Sequence, residues 1–426
     1  MKLVKVFKIG LVSLTAVMLM VSVGYIALAA DKPITIQYVT LGGTQEDILD
    51  EMVAEFEKQN PEIKVKWENW PYADAYNKYI TVAKAGMPPD CGYAFAHMLP
   101  EFVEKGFLVP VEKYISDSLK EDYYEGIREG ASYNGTMWTL PAWYSTNIIT
   151  YRKDLLDKYG FNIPKTPEEV IKIAKVLHNP PEFYGAAFPA GGTPTSSIRW
   201  FATQLWGCGG EFLTEDGKRA AFNSEAGIEV LKYLVNLEPY FQPGYLADSE
   251  HEVARAFKEG KIPWIQFSMG GGLLDPQEAH PDWNLVPAYP PTPKKAALGI
   301  MDVYFLFKTT PERQEAAWKW LEFTQKAKYT EHTNIQIGFL PTRKSAAEYY
   351  FNTEFFKQNP IQEKMQTFIE ASEYIKFPPY SPKWNEIKSV LQEAMQKAFV
   401  GKLSVEEALA EAEKKANDIL AEFYGE

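Results

Sequence analysis

The histidine residues of this chain are too scattered to hold a metal ion. None of the five has a second histidine three or four residues away, the spacing that places two ligands on one face of a helix. Neither the P-loop pattern nor G-x-G-x-x-G occurs, so Gly270, Gly271 and Gly272 indicate a flexible or close-approach segment rather than a nucleotide loop. We therefore expect neither a metal nor a cofactor.

Covalent catalysis is equally hard to find in the sequence. The G-x-S-x-G motif that exposes a nucleophilic serine does not occur. The 56 acidic residues leave open a pair of carboxylates that the fold brings to about 5 to 10 Å from each other, as in glycosidases. We favour a binding protein, and a secreted polysaccharide-cleaving enzyme is the alternative.

The first thirty residues differ from the rest of the chain. Lysines precede an apolar run from Ile9 to about Val23, and small residues follow at Ala27 and Ala29. This pattern predicts a secretory signal peptide over residues 1–29. The alternative is an uncleaved anchor, because the stretch from Ile9 to Ala29 is just long enough to span a bilayer. In both cases the remaining chain lies outside the cytoplasm, in the periplasm or extracellular space.

The two cysteines and the net charge bear on lipidation, on disulfide formation and on possible partners. Cys91 and Cys208 lie outside the leader, so no cysteine stands at the cleavage point and we expect no lipoprotein. We expect both thiols to be free, and a single disulfide is the alternative. The formal net charge is −12 and the basic residues are not clustered, so we expect no nucleic-acid partner. We expect a monomer.

Strands and helices alternate where the exported chain begins. We predict a strand over Ile34–Val39, a helix that Thr44 caps and that Asn60 stops, a strand over Ile63–Trp70, and a helix over Tyr76–Ala85. This order is typical of an α/β fold with a largely parallel sheet.

Three later helices carry clear start signals. A threonine or serine is followed by proline, or by glutamate three residues later, and this pattern predicts an N-terminal cap. These caps are at Thr166, Thr310 and Ser404.

Several segments together resemble the extracellular solute-binding proteins of ABC sugar importers, the family of maltose-binding proteins. The resemblance covers nearly the whole exported chain. Its carriers in the first half are FEKQNPEIKVKWE from Phe56, AGMPPDCGYAF from Ala85, VEKGFLVPVEKYI from Val103, ITYRKDLLDKYGFNIPKTPEEV from Ile149 and FKEGKIPW from Phe257. In the second half they are ERQEAAWKWLEFTQ from Glu312, GFLPTRKSA from Gly338 and GKLSVEEAL from Gly401. One departure is MGGG from Met269, where relatives usually carry a Gly-x-Trp that serves as a sugar platform.

The resemblance implies a type II periplasmic-binding-protein fold of two α/β lobes, each a mostly parallel sheet flanked by helices, with the ligand cleft between them. By similarity, residues 30–146 and 272–328 form the N-terminal lobe, and residues 147–271 and 329–426 form the C-terminal lobe. The chain would then cross between the lobes near residues 146, 271 and 328.

The resemblance also implies a function. The protein would capture a small carbohydrate, a disaccharide or oligosaccharide, close its lobes over it and deliver it to the permease of an ABC importer. Two alternatives keep the same fold. One is a different cargo, such as a peptide, a polyamine or a metal complex, and the other is an additional chemoreceptor partner.

A sugar site combines aromatic rings, which stack on C–H faces, with polar side chains that pair with hydroxyl groups. By similarity to the family, the candidate ligand-binding residues are Thr44, Gln45, Trp70, Phe95, His97, Tyr144, Trp200, Met269, Asp302, Arg343 and Trp384. For Thr44 the alternative role is helix capping. Trp143 and Tyr144 should point to opposite sides of an extended segment, so that one of them faces the ligand.

Overall fold

The computed structural model describes residues 32–358 and 361–425, so the predicted signal peptide of residues 1–29 lies outside the described residues. Within them the strands are β1 (Ile34–Leu41), β2 (Ile63–Trp70), β3 (Cys91–Phe95), β4 (Ser132–Tyr133), β5 (Thr136–Met137), β6 (Leu140–Arg152), β7 (Trp264–Phe267), β8 (Leu285–Ala288), β9 (Ala297–Leu306), β10 (Leu340–Pro341) and β11 (Ile375–Lys376).

The α-helices of the described residues are α1 (Glu46–Gln59), α2 (Tyr72–Lys84), α3 (Leu99–Glu104), α4 (Asp117–Asp122), α5 (Glu125–Gly130), α6 (Lys153–Lys158), α7 (Pro167–Leu177), α8 (Pro194–Gly207), α9 (Glu225–Leu237), α10 (Glu250–Lys258), α11 (Asp275–Ala279), α12 (Pro311–Thr324), α13 (Ala327–Ile337), α14 (Lys344–Phe351), α15 (Glu354–Lys357), α16 (Gln362–Glu370), α17 (Trp384–Phe399) and α18 (Val405–Tyr424). Short 3-10 turns and one π-helical turn, Gly270–Leu274, connect some of them. Among these helices none is long and apolar enough to cross a membrane.

The first sheet is built around β1. This strand pairs in parallel with β2 on one side and with β3 on the other. In β2 the buried Ile63 and Val65 alternate with the exposed Lys64 and Lys66, as expected of an edge strand with one face on the core. The sheet continues from β3 to β9 and from β9 to β6, and both of these pairings are antiparallel.

The long strand β6 belongs to two sheets. Its first half, Leu140–Asn147, pairs with β9 and β10, and its second half, Ile148–Arg152, pairs with β7 and β8. All 13 of its residues are buried. The partners change in the middle of the strand, so β6 is a connection between two lobes, one on either side of this point.

The strand directions correct one detail of the predicted fold. The expected parallel pairing holds for β1 with β2 and β3, whereas β7 and β8 both pair antiparallel with β6. The reason is that β6 enters the second lobe from the first one, against the direction of the two strands that flank it there.

The same pairings bear on the lobe boundaries. The change of partners at Asn147 and Ile148 lies beside the crossing expected near residue 146. We expected residues 272–328 in the N-terminal lobe, but β8 pairs with the second half of β6. We therefore propose that the second crossing lies between Ala288 and Ala297.

The third crossing was expected near residue 328. Beyond that point Lys328 still contacts Glu55 of α1, and Arg343 contacts Asp122 of α4. Further along the chain, α16 packs against β8. We propose that the third crossing lies between α14 and α16.

The helix starts show which capping predictions hold. Ser404 and Glu407 form the complete reciprocal box at the start of α18, and Thr166 and Thr310 each accept a backbone N–H of their helix. The capping role of Thr44 was wrong. Helix α1 begins at Glu46 after Gln45, which has a left-handed backbone (φ 62°) and makes no side-chain cap.

The two cysteines are free, as expected. Cys91 is buried in β3 and Cys208 is half-buried after α8. Burial raises the pKa of Cys91 well above its ordinary value and that of Cys208 to about 11, so both are thiols rather than thiolates near neutral pH.

A buried carboxylate joins the first sheet to a helix. Asp90, which immediately precedes β3, is completely buried. Its Oδ2 accepts a hydrogen bond from the backbone N–H of Gln37 at 2.7 Å and one from Arg313 of α12 at 2.6 Å. A buried charge needs such partners, because removing it from water is costly.

Replacing Arg313 by methionine should therefore destabilise the protein. We expect a loss of about 2 kcal/mol in the free energy of unfolding, below the full value for a buried pair because the arginine is partly exposed. Urea denaturation measures this loss. The matched control is Lys319→Met on the same helix, whose pair with Glu62 is exposed, and this change should cost less than about 0.5 kcal/mol. Equal losses in the two variants would contradict this role of Asp90.

Candidate functional site

A cavity of about 280 Å³ lies between the two lobes. One wall comes from α2, α3, the 3-10 turn Ala96–Met98 and β9. The other wall comes from α8, the proline-rich loop 377–382 and the start of α17. The volume is just below the range for small-molecule sites, roughly 300–1,000 Å³. Its place between two lobes makes it the candidate ligand site.

A row of three aromatic rings, Tyr72, Phe95 and His97, ends at the first wall, where His97 lines the cavity. The ring of Tyr72 stacks on Phe95 with centroids 5.6 Å apart, and Phe95 stacks on His97 with centroids 5.6 Å apart and planes 8° from parallel. Gly42, whose φ is +61°, lies directly under the Tyr72 ring, where a Cβ atom would come within 1.9 Å of it. The hydroxyl groups of Thr44 and Tyr72 are 2.6 Å apart. These contacts fix the row, in which Phe95 is stacked against both neighbours and His97 is the ring that reaches the cavity.

Two helices position the polar side chains of the second wall. On α8, Thr195 and Arg199 follow one another at helical spacing on one face. On α17, Trp384, Asn385 and Lys388 fall on the first two turns and reach the same cavity. Lys388 donates a hydrogen bond from Nζ to Thr195 Oγ1 at 2.8 Å, which joins the two helices. The wall therefore offers cations and amide and hydroxyl groups beside an indole ring.

The charges of this wall act on His97 across the cavity. Desolvation in the cleft, followed by the positive charges of Lys388 and Arg199, lowers the pKa of His97 to about 4. The ring is nevertheless open to the water of the cleft, and water screens such effects. The imidazole is neutral at pH 7, so it can both donate and accept a hydrogen bond.

Behind the cavity lies a buried carboxyl group. Asp302 of β9 accepts hydrogen bonds at Oδ2 from the Tyr93 hydroxyl and from Trp143 Nε1, the latter at 3.1 Å. Burial raises the pKa of Asp302 to about 6, against the opposing effects of these bonds and of Arg199. Asp302 holds Tyr93 and Trp143 in place beside the aromatic row.

The structure brings some of the predicted site residues together. His97 and Trp384 line the cavity from opposite walls. Phe95 stacks on His97, Thr44 binds Tyr72 in the aromatic row, and Asp302 pairs in register with Phe95.

Other predicted residues lie elsewhere. Trp143 and Tyr144 do bind different partners, Asp302 and Ser372, but both are buried and neither lines the cavity. Thr44, Phe95 and Asp302 lie near the first wall without lining the cavity. The five other predicted residues that do not line it are Gln45, Trp70, Trp200, Met269 and Arg343.

Each of these five residues makes contacts away from the cavity. Gln45 accepts a bond from Tyr304, and Trp70 packs on Tyr79. Trp200 contacts Phe188, and Met269 is buried at the start of the π-helical turn. Arg343 binds Asp122 and the carbonyl group of Gln325.

Sequence reasoning missed several residues of the cavity, among them Tyr76, Glu101, Thr195, Arg199, Asn385 and Lys388. A signal for one of them, Arg199, was present. Helix α8 is apolar or small at most positions, and a lone arginine on a helix with such a pattern indicates a charge with a specific task. Among the residues that the structure describes, no cluster of three or more potential ligands could hold a metal ion.

The effect of Lys388 and Arg199 on His97 can be measured by titrating the histidine signals with NMR. We expect the pKa of His97 between about 4 and its ordinary value of 6.5, and we expect it to rise in the Lys388→Met variant because one of the two cations is removed. His97→Gln identifies the signal by its disappearance. A His97 pKa of 6.5 or higher in the unchanged protein would show that the cations do not act on this ring.

The sequence and the fold are both similar to those of known proteins. The family model for bacterial extracellular solute-binding proteins matches residues 42–331. A protein of Brucella abortus named as a binding protein is 27% identical over 386 residues, 87% of this chain and 89% of that protein. The maltotriose-binding protein of Pyrococcus abyssi is 24% identical over 364 residues, 82% of this chain and 74% of the relative.

A solved structure shows the same fold. The cyclic alpha-maltosyl-1,6-maltose binding protein of Arthrobacter globiformis matches with a TM-score of 0.78 at 21% identity, and the match covers 92% of this chain and 100% of that one. The two-lobed α/β fold predicted from the sequence is confirmed. Since the family model matches more than half of the chain, the protein belongs to the family of bacterial extracellular solute-binding proteins.

Proposed function

We propose that the protein captures a small carbohydrate, a disaccharide or oligosaccharide, outside the cytoplasm and delivers it to an ABC importer. The observation that carries the proposal is the cavity between the lobes, where the rings of Tyr76, His97 and Trp384 lie together with polar side chains. Relatives named for maltotriose and for a cyclic maltosyl-maltose support a saccharide as the cargo.

The chemistry of both walls suits a sugar. The rings of Tyr76, His97 and Trp384 line the cavity and offer surfaces for the C–H faces of pyranose rings. Across the cavity, Asn385 supplies an amide with donors and an acceptor, and Lys388 supplies donors. Hydroxyl groups need both kinds of partner, because each can donate one hydrogen bond and accept others.

In the proposed function, lobe closure couples ligand binding to transport. A ligand that contacts both walls binds the closed arrangement of the lobes better than an open one and therefore shifts the population towards closure. In the proposed cycle the closed protein, acting as a monomer, binds the permease subunits of the importer. The leader of residues 1–29 would direct export to the periplasm or beyond, without lipidation.

Thermal unfolding of purified protein, stripped of ligand by unfolding and refolding, tests the proposal. Saccharides of one to four units form the panel, and amino acids, peptides and polyamines are the controls. A saccharide at 100 times its dissociation constant should add about 2.7 kcal/mol to the stability. Stabilisation by a control compound together with no response to any saccharide would refute carbohydrate capture.

The same samples distinguish binding from catalysis. We expect the bound saccharide to be recovered unchanged after hours of incubation, because we propose a binding protein and not an enzyme. Chromatography of the saccharide measures this. Appearance of shorter products in proportion to the protein concentration would establish the alternative, a carbohydrate-cleaving enzyme.

A single substitution tests the placement of the site. Asn385→Ala should weaken binding of the identified saccharide about tenfold, the value of one good hydrogen bond, and should leave the stability of the unliganded protein unchanged because the residue is exposed. Calorimetric titration gives the dissociation constants. The control Asn77→Ala, an exposed asparagine on α2 that does not line the cavity, should bind as the unchanged protein does. Unchanged binding by Asn385→Ala, or weakened binding by Asn77→Ala, would show that the ligand site is not at Asn385.

A further inference from the structure

Two cations occupy the wall of the cavity formed by α8 and α17. Arg199 comes from α8, where most residues are buried, and Lys388 comes from α17. Lys388 as a whole residue is only 9% exposed. Lysine is rarely buried to this extent without a partner of opposite charge.

The two cations differ in their partners. Arg199 forms an ion pair with Glu250, 2.5 Å between Nη1 and Oε1, so its charge is compensated within the wall. Lys388 binds the uncharged hydroxyl of Thr195 and forms no salt bridge with any carboxylate among residues 32–358 and 361–425. An ammonium group has three donors, so two of them remain for molecules in the cavity.

The other charged groups around the cavity do not neutralise the charge of Lys388. On the opposite wall, Glu101 forms a salt bridge with Lys105 at 3.1 Å. The carboxylate of Asp302 lies behind that wall, where Tyr93 and Trp143 bind it. Burial and, to a lesser extent, the charge of Arg199 lower the pKa of Lys388 to about 8.

We propose that the ligand is a saccharide that carries an anionic group and that Lys388, assisted by Arg199, binds this group. The inference rests on the proposed function and adds the charge of the cargo to it. A carboxylate or a phosphate would supply the opposite charge that the wall lacks, and charge-assisted hydrogen bonds to it are stronger than those to a neutral hydroxyl.

Matched pairs of saccharides test the inference by calorimetric titration at pH 7. The pairs are digalacturonate with its dimethyl ester, cellobiouronate with cellobiose, and maltose 1-phosphate with maltose. We expect the charged member of at least one pair to bind at least tenfold more tightly than its neutral partner. Comparison of the uronates with the sugar phosphate identifies the anionic group.

Variants of Lys388 separate its charge from its packing. Lys388→Met should reduce the affinity for the charged member at least tenfold more than it reduces the affinity for the neutral member, whereas Lys388→Arg should retain the preference. The control is Lys383→Met, a lysine that precedes α17, pairs with Glu386 and does not line the cavity. This variant should bind as the unchanged protein does.

The pH supplies an independent readout. Affinity for the charged member should be lost as the pH rises from about 7 to beyond 8, because the unliganded protein then gives up the proton of Lys388. Arginine side chains are charged over this whole range. The lowered pKa of His97 and the pKa of Asp302, raised to about 6, both lie below this window. The affinity for a neutral member should not show this loss as the pH rises.

The outcomes are distinct. Neutral saccharides that bind as tightly as charged ones, with no loss in Lys388→Met, would overturn the inference and leave carbohydrate capture intact. Failure of every saccharide, neutral and charged, would overturn both.

Discussion

The architecture depends on one buried strand that both lobes share. Strand β6 exchanges its hydrogen-bonding partners between Asn147 and Ile148, from β9 to β7 and β8. Paired strands are stiff, because each backbone group that leaves its partner in the interior remains unsatisfied. Relative movement of the lobes must therefore bend β6 where its partners change. The cavity lies between the lobes that this strand joins, so its two walls can approach each other without disruption of either sheet.

Much of the fold could be predicted because its signals are local. The alternation of Ile63 and Val65 with lysines marked β2, and the Ser404 and Glu407 box marked the start of α18. The directions of β7 and β8 could not be predicted in this way. They depend on how β6 enters the second lobe, and no residue within either strand carries that information.

The site was harder to predict than the fold, for a physical reason. His97 and Trp384 were found by their positions in family segments, but Arg199 and Lys388 lie about 190 residues apart on helices that meet only in the folded chain. A helix of mainly apolar residues predicts a core position for all of its members, although one face of α8 lines a cavity. The predicted tryptophan on α8, Trp200, packs into the interior, while the arginine before it reaches the cleft.

The glycine run explains how this site differs from the pattern of its relatives. Where they usually carry a tryptophan, the chain has Gly270–Leu274 in a π-helical turn, and a Cβ atom at Gly338 would come within 2.9 Å of the Gly270 Cα atom. The two backbone segments therefore meet at Gly270, and Gly272 leaves the turn without an aromatic side chain. Rings line the cavity from both walls nevertheless, Tyr76 and His97 on one side and Trp384 on the other. We infer that these rings take over the stacking of a saccharide. Arg199 and Lys388 lie on the same wall as Trp384, so in the proposed complex this wall binds both a sugar face and its anionic group.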